Sequence, residues 1–232
     1  MLPLKSVESK PDFKQAHRAQ TSLLAPVERR ALLWLARHMP ARVNSDHLTA
    51  LGFLSIAAAG VSYWYSRFHR VGLIWVMVFL LLNWFGDSLD GTLARVRNRQ
   101  RPRYGFYIDH ILDACGTFLL LGGMALSGFM SERIGLGLLL VYLLLNIEVY
   151  LATYTMGTFQ MSFWKFSPTE LRVLLIIGNV ALFYRPVVTI AGHRFFLFDV
   201  GALCGILGMT AMLVVAIVRH TLQLYSEEAL PE

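Results

Sequence analysis

The apolar residues of this chain come in blocks about twenty long, and that length constrains its fold more than any other feature. A helix needs about 20 mostly apolar residues to cross a hydrocarbon core roughly 30 Å thick. Six blocks read as such spans: about Asp46 to Tyr65, Val71 into the stretch that begins at Asp87, Gly105 to Phe129, Ile134 to Tyr154, Pro168 to Tyr184, and Phe195 to Val218. The fifth is the weakest, because it opens with Glu170 and Arg172. With 56% hydrophobic and only 16% charged residues, the composition excludes an ordinary soluble domain.

Ahead of the first block, residues 25–38 (APVERRALLWLARH) read as a helix lying in the membrane interface. Pro26 suits a first helical turn and Glu28 complements the positive helix end. Leu24, Val27, Ala31 and Leu35 recur at helical spacing, with Arg29, Arg30 and Arg37 around them. That pattern puts an apolar side in lipid and arginines at the headgroups; a helix packed on the rest of the protein is the plainer alternative. The expected architecture is an all-α integral membrane protein of six transmembrane helices preceded by an interfacial amphipathic helix. Its parts are an N-terminal segment (1–42), a transmembrane domain (43–220) and a tail (221–232). The opening residues lack the apolar core of a signal peptide. Small residues in GGMALSG (122–128) and GALCGILG (201–208) suit close helix contact. Cys115 and Cys204 fall inside apolar blocks and read as buried packing residues, neither a disulfide nor a metal site.

Lys and Arg set the orientation. With a cytosolic N-terminus and six spans, the basic stretch 95–103, Lys165, Arg172 and Arg219 fall on the cytosolic side. Arg67, Arg70, Arg133, Arg185 and Arg194 fall on the other. The net charge of +6 therefore speaks for cytosolic loops and anionic lipid rather than nucleic acid.

The densest group of ionisable residues, DSLDGTLARVRNRQRPRYGFYIDHILD (87–113), sits at that cytosolic edge. Asp87 and Asp90 are three apart and Asp109 and Asp113 four apart, so each pair shares a helix face. Pro102 makes the arginine-rich connection a turn, and a hairpin of two spans then brings both pairs to one point. Four facing carboxylates repel one another and are costly to desolvate. Divalent ions such as Mg²⁺ or Mn²⁺ favour such oxygen ligands and often add substrate phosphates. Carboxylates neutralised by the neighbouring arginines, or acidic residues on a cation pathway, are the competing readings. Gly91 and Ala94 leave room beside the acids, and Arg95 offers a guanidinium fork for phosphate oxygens. Together these residue types describe a site for a nucleotide diphosphate.

DSLDGTLAR (Asp87 to Arg95) and GFYIDHILD (Gly105 to Asp113) resemble the signature of the CDP-alcohol phosphotransferase family, D-x-x-D-G-x-x-A-R followed by G-x-x-x-D-x-x-x-D, at all eight positions. The spacer from Val96 to Tyr104 is one residue longer than is usual in that family, a difference that a basic turn absorbs. The resemblance implies a two-metal site of Mg²⁺ or Mn²⁺ held by Asp87, Asp90, Asp109 and Asp113, with Asp113 also acting as general base on the acceptor hydroxyl. It implies nucleotide contacts at Gly91, Ala94 and Gly105, and at Asn44 and Thr49 in the lead-in to the first span, with Arg95 either a phosphate contact or a partner that holds a carboxylate in place. An N-cap at Asn44 or Ser45 and a hydrogen-bonded membrane-helix Thr49 explain those two equally well. The implied partners are a CDP-linked donor, either CDP-diacylglycerol or a CDP-alcohol, an alcohol acceptor, membrane phospholipid and a second copy in a homodimer. The implied location is a bacterial inner membrane, with the active site at its cytosolic face.

The donor branch stays open. Asp109-His110-x-x-Asp113 is similar to the motif of choline and ethanolamine phosphotransferases, in which a histidine assists proton transfer, but Ile111 stands where those enzymes have glycine. A histidine hydrogen-bonded to a phosphate or carboxylate is the other reading of His110. Asn146, Glu148, Tyr150, Lys165, Thr169, Glu170 and Arg172 are further candidates for acceptor recognition, set against capping and helix pairing. Asp199 falls on the far side and is not expected to act in catalysis. An inactive lipid-binding relative would have lost a metal ligand, whereas all four aspartates are present. A cation transporter would carry acids further along its path.

Overall fold

A computed structural model describes residues 25–156 and 168–228. Seven helices lie within these: α1 (Ala25–His38), α2 (Ser45–Ser66), α3 (Gly72–Val96), α4 (Pro102–Ala125), α5 (Glu132–Met156), α6 (Pro168–Tyr184) and α7 (Leu197–Glu227). Five of them, α2 to α5 and α7, are long and apolar enough to cross a membrane, and the chain is an integral membrane protein. Of the readings made from sequence, those on Leu24 and Lys165 lie outside the described residues.

α2 is the axis of the bundle, and glycine makes it so. A Cβ on Gly86 of α3 would lie 2.6 Å from both the Gly52 nitrogen and the Leu48 oxygen of α2. A Cβ on Gly123 of α4 would lie 1.9 Å from the Gly60 oxygen, and one on Gly60 would lie 2.3 Å from the Leu119 oxygen. Backbones in such contact gain dispersion energy along their length, which matters where lipid supplies no hydrophobic drive between helices. Ala59, Tyr63, Leu73, Val76, Leu80, Leu120 and Met124 fill the resulting core. The second small-residue stretch behaves differently. Gly201 and Gly208 face open space, and only Gly205 meets a neighbour, Leu138 of α5.

Four expectations change in detail. Cys115 and Cys204 are exposed, not buried; the outside of a membrane helix is as apolar as its inside, so an apolar block does not reveal which residues face in. In α1 the buried residues are Leu32 and Ala36, packed with Leu48, Leu89 and Leu93, whereas Ala31 is exposed. The helix thus lies against α3 while Arg29, Arg30 and Trp34 remain exposed. The fold is not wholly α: β1 (Val187–Ile190) and β2 (His193–Phe196) form an antiparallel hairpin. Its two-residue turn, Ala191 and Gly192, has φ of 49° and 84°, the left-handed pair that hairpin twist favours. Phe195 and Phe196 therefore belong to a strand, and the last helix starts at Leu197 and continues to Glu227.

α6, the weakest block in the sequence, is 17 residues long. Its contact with the bundle follows one stripe in which Thr169, Arg172 and Asn179 are polar and Ile176 and Phe183 apolar. Asn179 is fully buried and donates to the Tyr63 hydroxyl of α2 at 2.7 Å. The polar residues that weaken α6 as a lipid-facing segment are the ones that attach it.

The neighbouring glycines of α4 provide a test. Gly123→Ala should destabilise the protein by about 1–3 kcal/mol or more through overpacking. Gly122→Ala, with nothing within 4 Å of the added carbon, should stay within about 0.5 kcal/mol. Thermal midpoints of the two variants in detergent decide the matter.

Candidate active site

The C-terminal part of α3 and the N-terminal part of α4 meet at one end of the bundle. Asn83, Asp87 and Asp90 recur on one face of α3, and Asp109 and Asp113 on one face of α4. Pro102 occupies the first turn of α4, where its missing N–H has no helical partner to lose. Carboxylate oxygens of Asp87, Asp109 and Asp113 lie within 4.8 Å of one another. Three anionic oxygens at that separation repel, and an all-oxygen donor set of this kind suits a hard divalent cation. The three residues could chelate such a metal.

Asp90 stands beside this group rather than in it. Its Oδ2 accepts from Thr49 Oγ1 at 2.6 Å, its Oδ1 accepts from the Gly91 amide, and its carbonyl accepts from Ser45 Oγ at 3.1 Å. Asp90 is thereby held to α2, close enough for Asp87 and Asp109 to act on it electrostatically. The close approach of α2 and α3 at Gly52 and Gly86 is what brings Thr49 within reach.

Asp87 has a basic partner that sequence spacing does not announce. Arg172 of α6 donates from Nη2 to Asp87 Oδ2 at 2.5 Å and from Nε to Asn83 Oδ1 at 2.8 Å. Asn83, itself buried, donates to the Gly52 carbonyl at 2.9 Å. One carboxylate of the cluster is thus tied through a guanidinium and an amide to the α2–α3 contact. Only a side chain with fixed, forked donors can bridge both acceptors.

A cleft of about 380 Å³ opens between the start of α2 and the α3–α4 turn, lined by Asn44, Ser45, Ala94, Arg99 and Gln100 among others; none of Asp87, Asp90, Asp109 and Asp113 lines it. Asn44 is also the N-cap of α2, its backbone N–H donating to His47 Nδ1 at 3.2 Å. Arg95 lies over Gly91, 3.6 Å from where a Cβ would sit, and donates to Thr92 Oγ1 at 3.1 Å. Gly105 is exposed, and a Cβ added there would meet nothing within 4 Å. Two arginines of the basic turn have structural duties. Arg97 donates to the carbonyls of Met39, Pro40 and Val43, fastening the α1–α2 connection. Arg101 pairs with Asp46 and lies 4.2 Å from the Tyr104 ring centroid.

His110 turns toward α5. Its Nδ1 is 2.6 Å from the Phe106 carbonyl, its ring stacks on Phe106, and it meets Tyr150 edge-on. Tyr150 donates to the His110 carbonyl at 3.2 Å, joining α5 to the acidic face of α4. Glu148, nearly buried, pairs with His220 Nδ1 of α7 at 2.5 Å. Asn146 has a buried amide on the same helix. Asp199 accepts from the Ser131 amide and hydroxyl at the opposite end of the bundle, a structural role.

Sequence reasoning missed Arg172 on Asp87, Asn83 as its second acceptor, and Glu28, whose Oε1 accepts from Trp84 Nε1 at 2.9 Å and Thr169 Oγ1 at 2.7 Å. A signal existed in part: Asn83 lies one helical turn before Asp87, and Thr169 one turn before Arg172.

An acidic cluster that could chelate a divalent metal thus sits at one end of a membrane-embedded bundle, an arrangement compatible with metal-assisted chemistry. A family model described as CDP-alcohol phosphatidyltransferase matches residues 44–218, a range that contains the cluster, the cleft and α2 to α6. The chain belongs to the CDP-alcohol phosphatidyltransferase family, a family of enzymes. No curated protein matches it.

The crowding of Asp87, Asp109 and Asp113 has a measurable cost. Asp109→Asn should raise the thermal midpoint of the metal-free protein, because one repelling charge is removed. Wild-type protein should gain about 2.7 kcal/mol from Mg²⁺ or Mn²⁺ at a hundred times its Kd. The variant should gain much less in the same thermal-shift titration.

Proposed function

We propose that this protein is a metal-dependent phosphatidyltransferase of phospholipid synthesis, displacing CMP from CDP-diacylglycerol with a small polar alcohol. The observation that carries this reading is the convergence of Asp87, Asp109 and Asp113 within 4.8 Å. The catalytic unit is residues 43–220, with 1–42 as an N-terminal segment bearing α1 and 221–232 as a tail. In this reading α6 is the fifth of six spans, the excess of Lys and Arg at the acidic end supports a site at the cytosolic face, and the membrane is a bacterial inner membrane. The homodimer that the family resemblance implies would use the exposed apolar faces of α5 and α7.

Asp87, Asp109 and Asp113 would hold Mg²⁺ or Mn²⁺, with Asp90 joining them from the edge of the group, and the metal when bound neutralises pyrophosphate charge and makes CMP a better leaving group. Asn44, Thr49, Gly91, Ala94 and Gly105 shape the space for the cytidine nucleotide, and Arg95 offers donors to its phosphates. Asp113 takes the proton of the acceptor hydroxyl as that oxygen attacks the β-phosphorus. The new phosphorus–oxygen bond forms as the bond to the bridging oxygen of CMP breaks. The products are a phosphodiester lipid and CMP. A site at the membrane edge suits one lipid substrate and one water-soluble substrate.

The second branch, transfer of a headgroup from a CDP-alcohol to diacylglycerol with His110 as a proton carrier, has less support. The His110 ring is stacked on Phe106, and its Nδ1 lies at hydrogen-bond distance from a backbone carbonyl. Those contacts favour a packing role, with Asp113 as the base.

Purified protein supplied with Mg²⁺ or Mn²⁺ should release CMP from CDP-diacylglycerol when a small polar alcohol is added, and not from CDP-choline with diacylglycerol. The reverse pattern would establish the other branch. Asp113→Asn should lower CMP release by about 10²-fold or more while the variant still binds nucleotide. Undiminished turnover would remove Asp113 from the mechanism.

A further inference from the structure

The geometry points to Glu28 of α1 as a positioning residue for the acidic cluster, acting through α6 and Arg172 on Asp87. This rests on the metal-binding reading of that cluster. One carboxylate oxygen of Glu28 gathers three donors: Trp84 Nε1 at 2.9 Å and Ser88 Oγ at 3.5 Å from α3, and Thr169 Oγ1 at 2.7 Å from α6. Ser88 is the residue after Asp87. Thr169 is one helical turn before Arg172, so both lie on the side of α6 that meets α3.

These bonds form a relay of fixed positions. Glu28 ties the first turn of α6 to α3; the next turn then sets Arg172 on Asp87 and Asn83. Asn179, further along the stripe, holds the other half of α6 to Tyr63. Without the Glu28 bond, the first turn of α6 loses its tie to α1, and Arg172 loses part of the support that orients it. Asp87 would then be free to rotate away from Asp109 and Asp113, which repel it. Hydrogen-bonded partners of metal-ligating carboxylates typically matter by 10–100-fold in metal affinity. α1 is therefore more than a surface anchor: a residue in its first turn helps set the order of the site.

The test separates the bond from the charge. Glu28→Gln and Glu28→Ala remove the same charge, but only glutamine keeps an oxygen that can accept from Trp84 and Thr169. Mn²⁺ binding to purified full-length protein, read from the electron paramagnetic resonance signal of free Mn²⁺, should weaken roughly tenfold in Glu28→Ala. It should stay within about twofold of wild type in Glu28→Gln. The Mn²⁺ concentration for half-maximal CMP release should shift by the same factor in Glu28→Ala, with turnover largely restored at saturating metal. Wild-type affinity in Glu28→Ala would overturn the inference, as would equal weakening in both variants, since charge alone would then be responsible. Should Glu28→Ala fail to fold, Thr169→Val removes the donor at similar volume; weakened binding there supports the relay and unchanged binding overturns it. A wild-type protein that binds no Mn²⁺ would overturn the metal reading itself, and the inference with it.

Discussion

The ion pair between Arg172 and Asp87 is the interaction on which the arrangement of the site depends. Lipid offers no hydrogen bonds, so a polar side chain within a span must be met by another helix. Arg172 is met twice, by Asp87 and by Asn83, and Asn83 in turn reaches the Gly52 carbonyl of α2. Three helices are joined through one guanidinium. The same bonds reduce the repulsion among Asp87, Asp109 and Asp113, which no packing of apolar side chains could relieve. Attachment of α6 and order among the carboxylates are thus one problem with one solution.

Around that link, the bundle uses two kinds of contact with different roles. Glycines at 52, 60, 86 and 123 let backbones touch and set how near α3 and α4 come to α2. That closeness puts Thr49 on Asp90 and Asp87 beside Asp109 and Asp113. Polar pairs then fix rotation and pairing: Asn179 with Tyr63, Glu148 with His220, Ser131 with Asp199. Apolar packing alone would leave α5, α6 and α7 free to slide, since their outer faces are as apolar as their contacts.

Much of the site was legible before the fold. The spacing of Asp87, Asp90, Asp109 and Asp113 placed two pairs of acids on helix faces, and Pro102 marked the turn that folds one pair toward the other. The extents of α2 to α6 follow the apolar blocks within a few residues. What was less legible has a common cause. Periodicity along one helix says which residues share a face, but not which neighbour that face will meet. Hence Arg172, a candidate for acceptor recognition by sequence, is bonded to Asp87, and Arg97 of the basic turn fastens the α1–α2 connection. The hairpin at 187–196 was hidden because Phe195 and Phe196 are apolar and continue into the last span.

By itself the sequence determined the solvent, the presence of long apolar helices, the chemistry of the acidic stretch and the family signature. These depend on local length, composition and spacing, which a chain carries whether or not it is folded. Only the tertiary structure decided that Asp90 is held by Thr49, that His110 packs on Phe106 and Tyr150, and that Glu28 and Arg172 secure α6 at the acidic cluster. Those are contacts between residues up to 141 positions apart, and they exist only where helix packing brings the partners together. Close approach of backbones at a few glycines is the physical step that turns the one kind of information into the other.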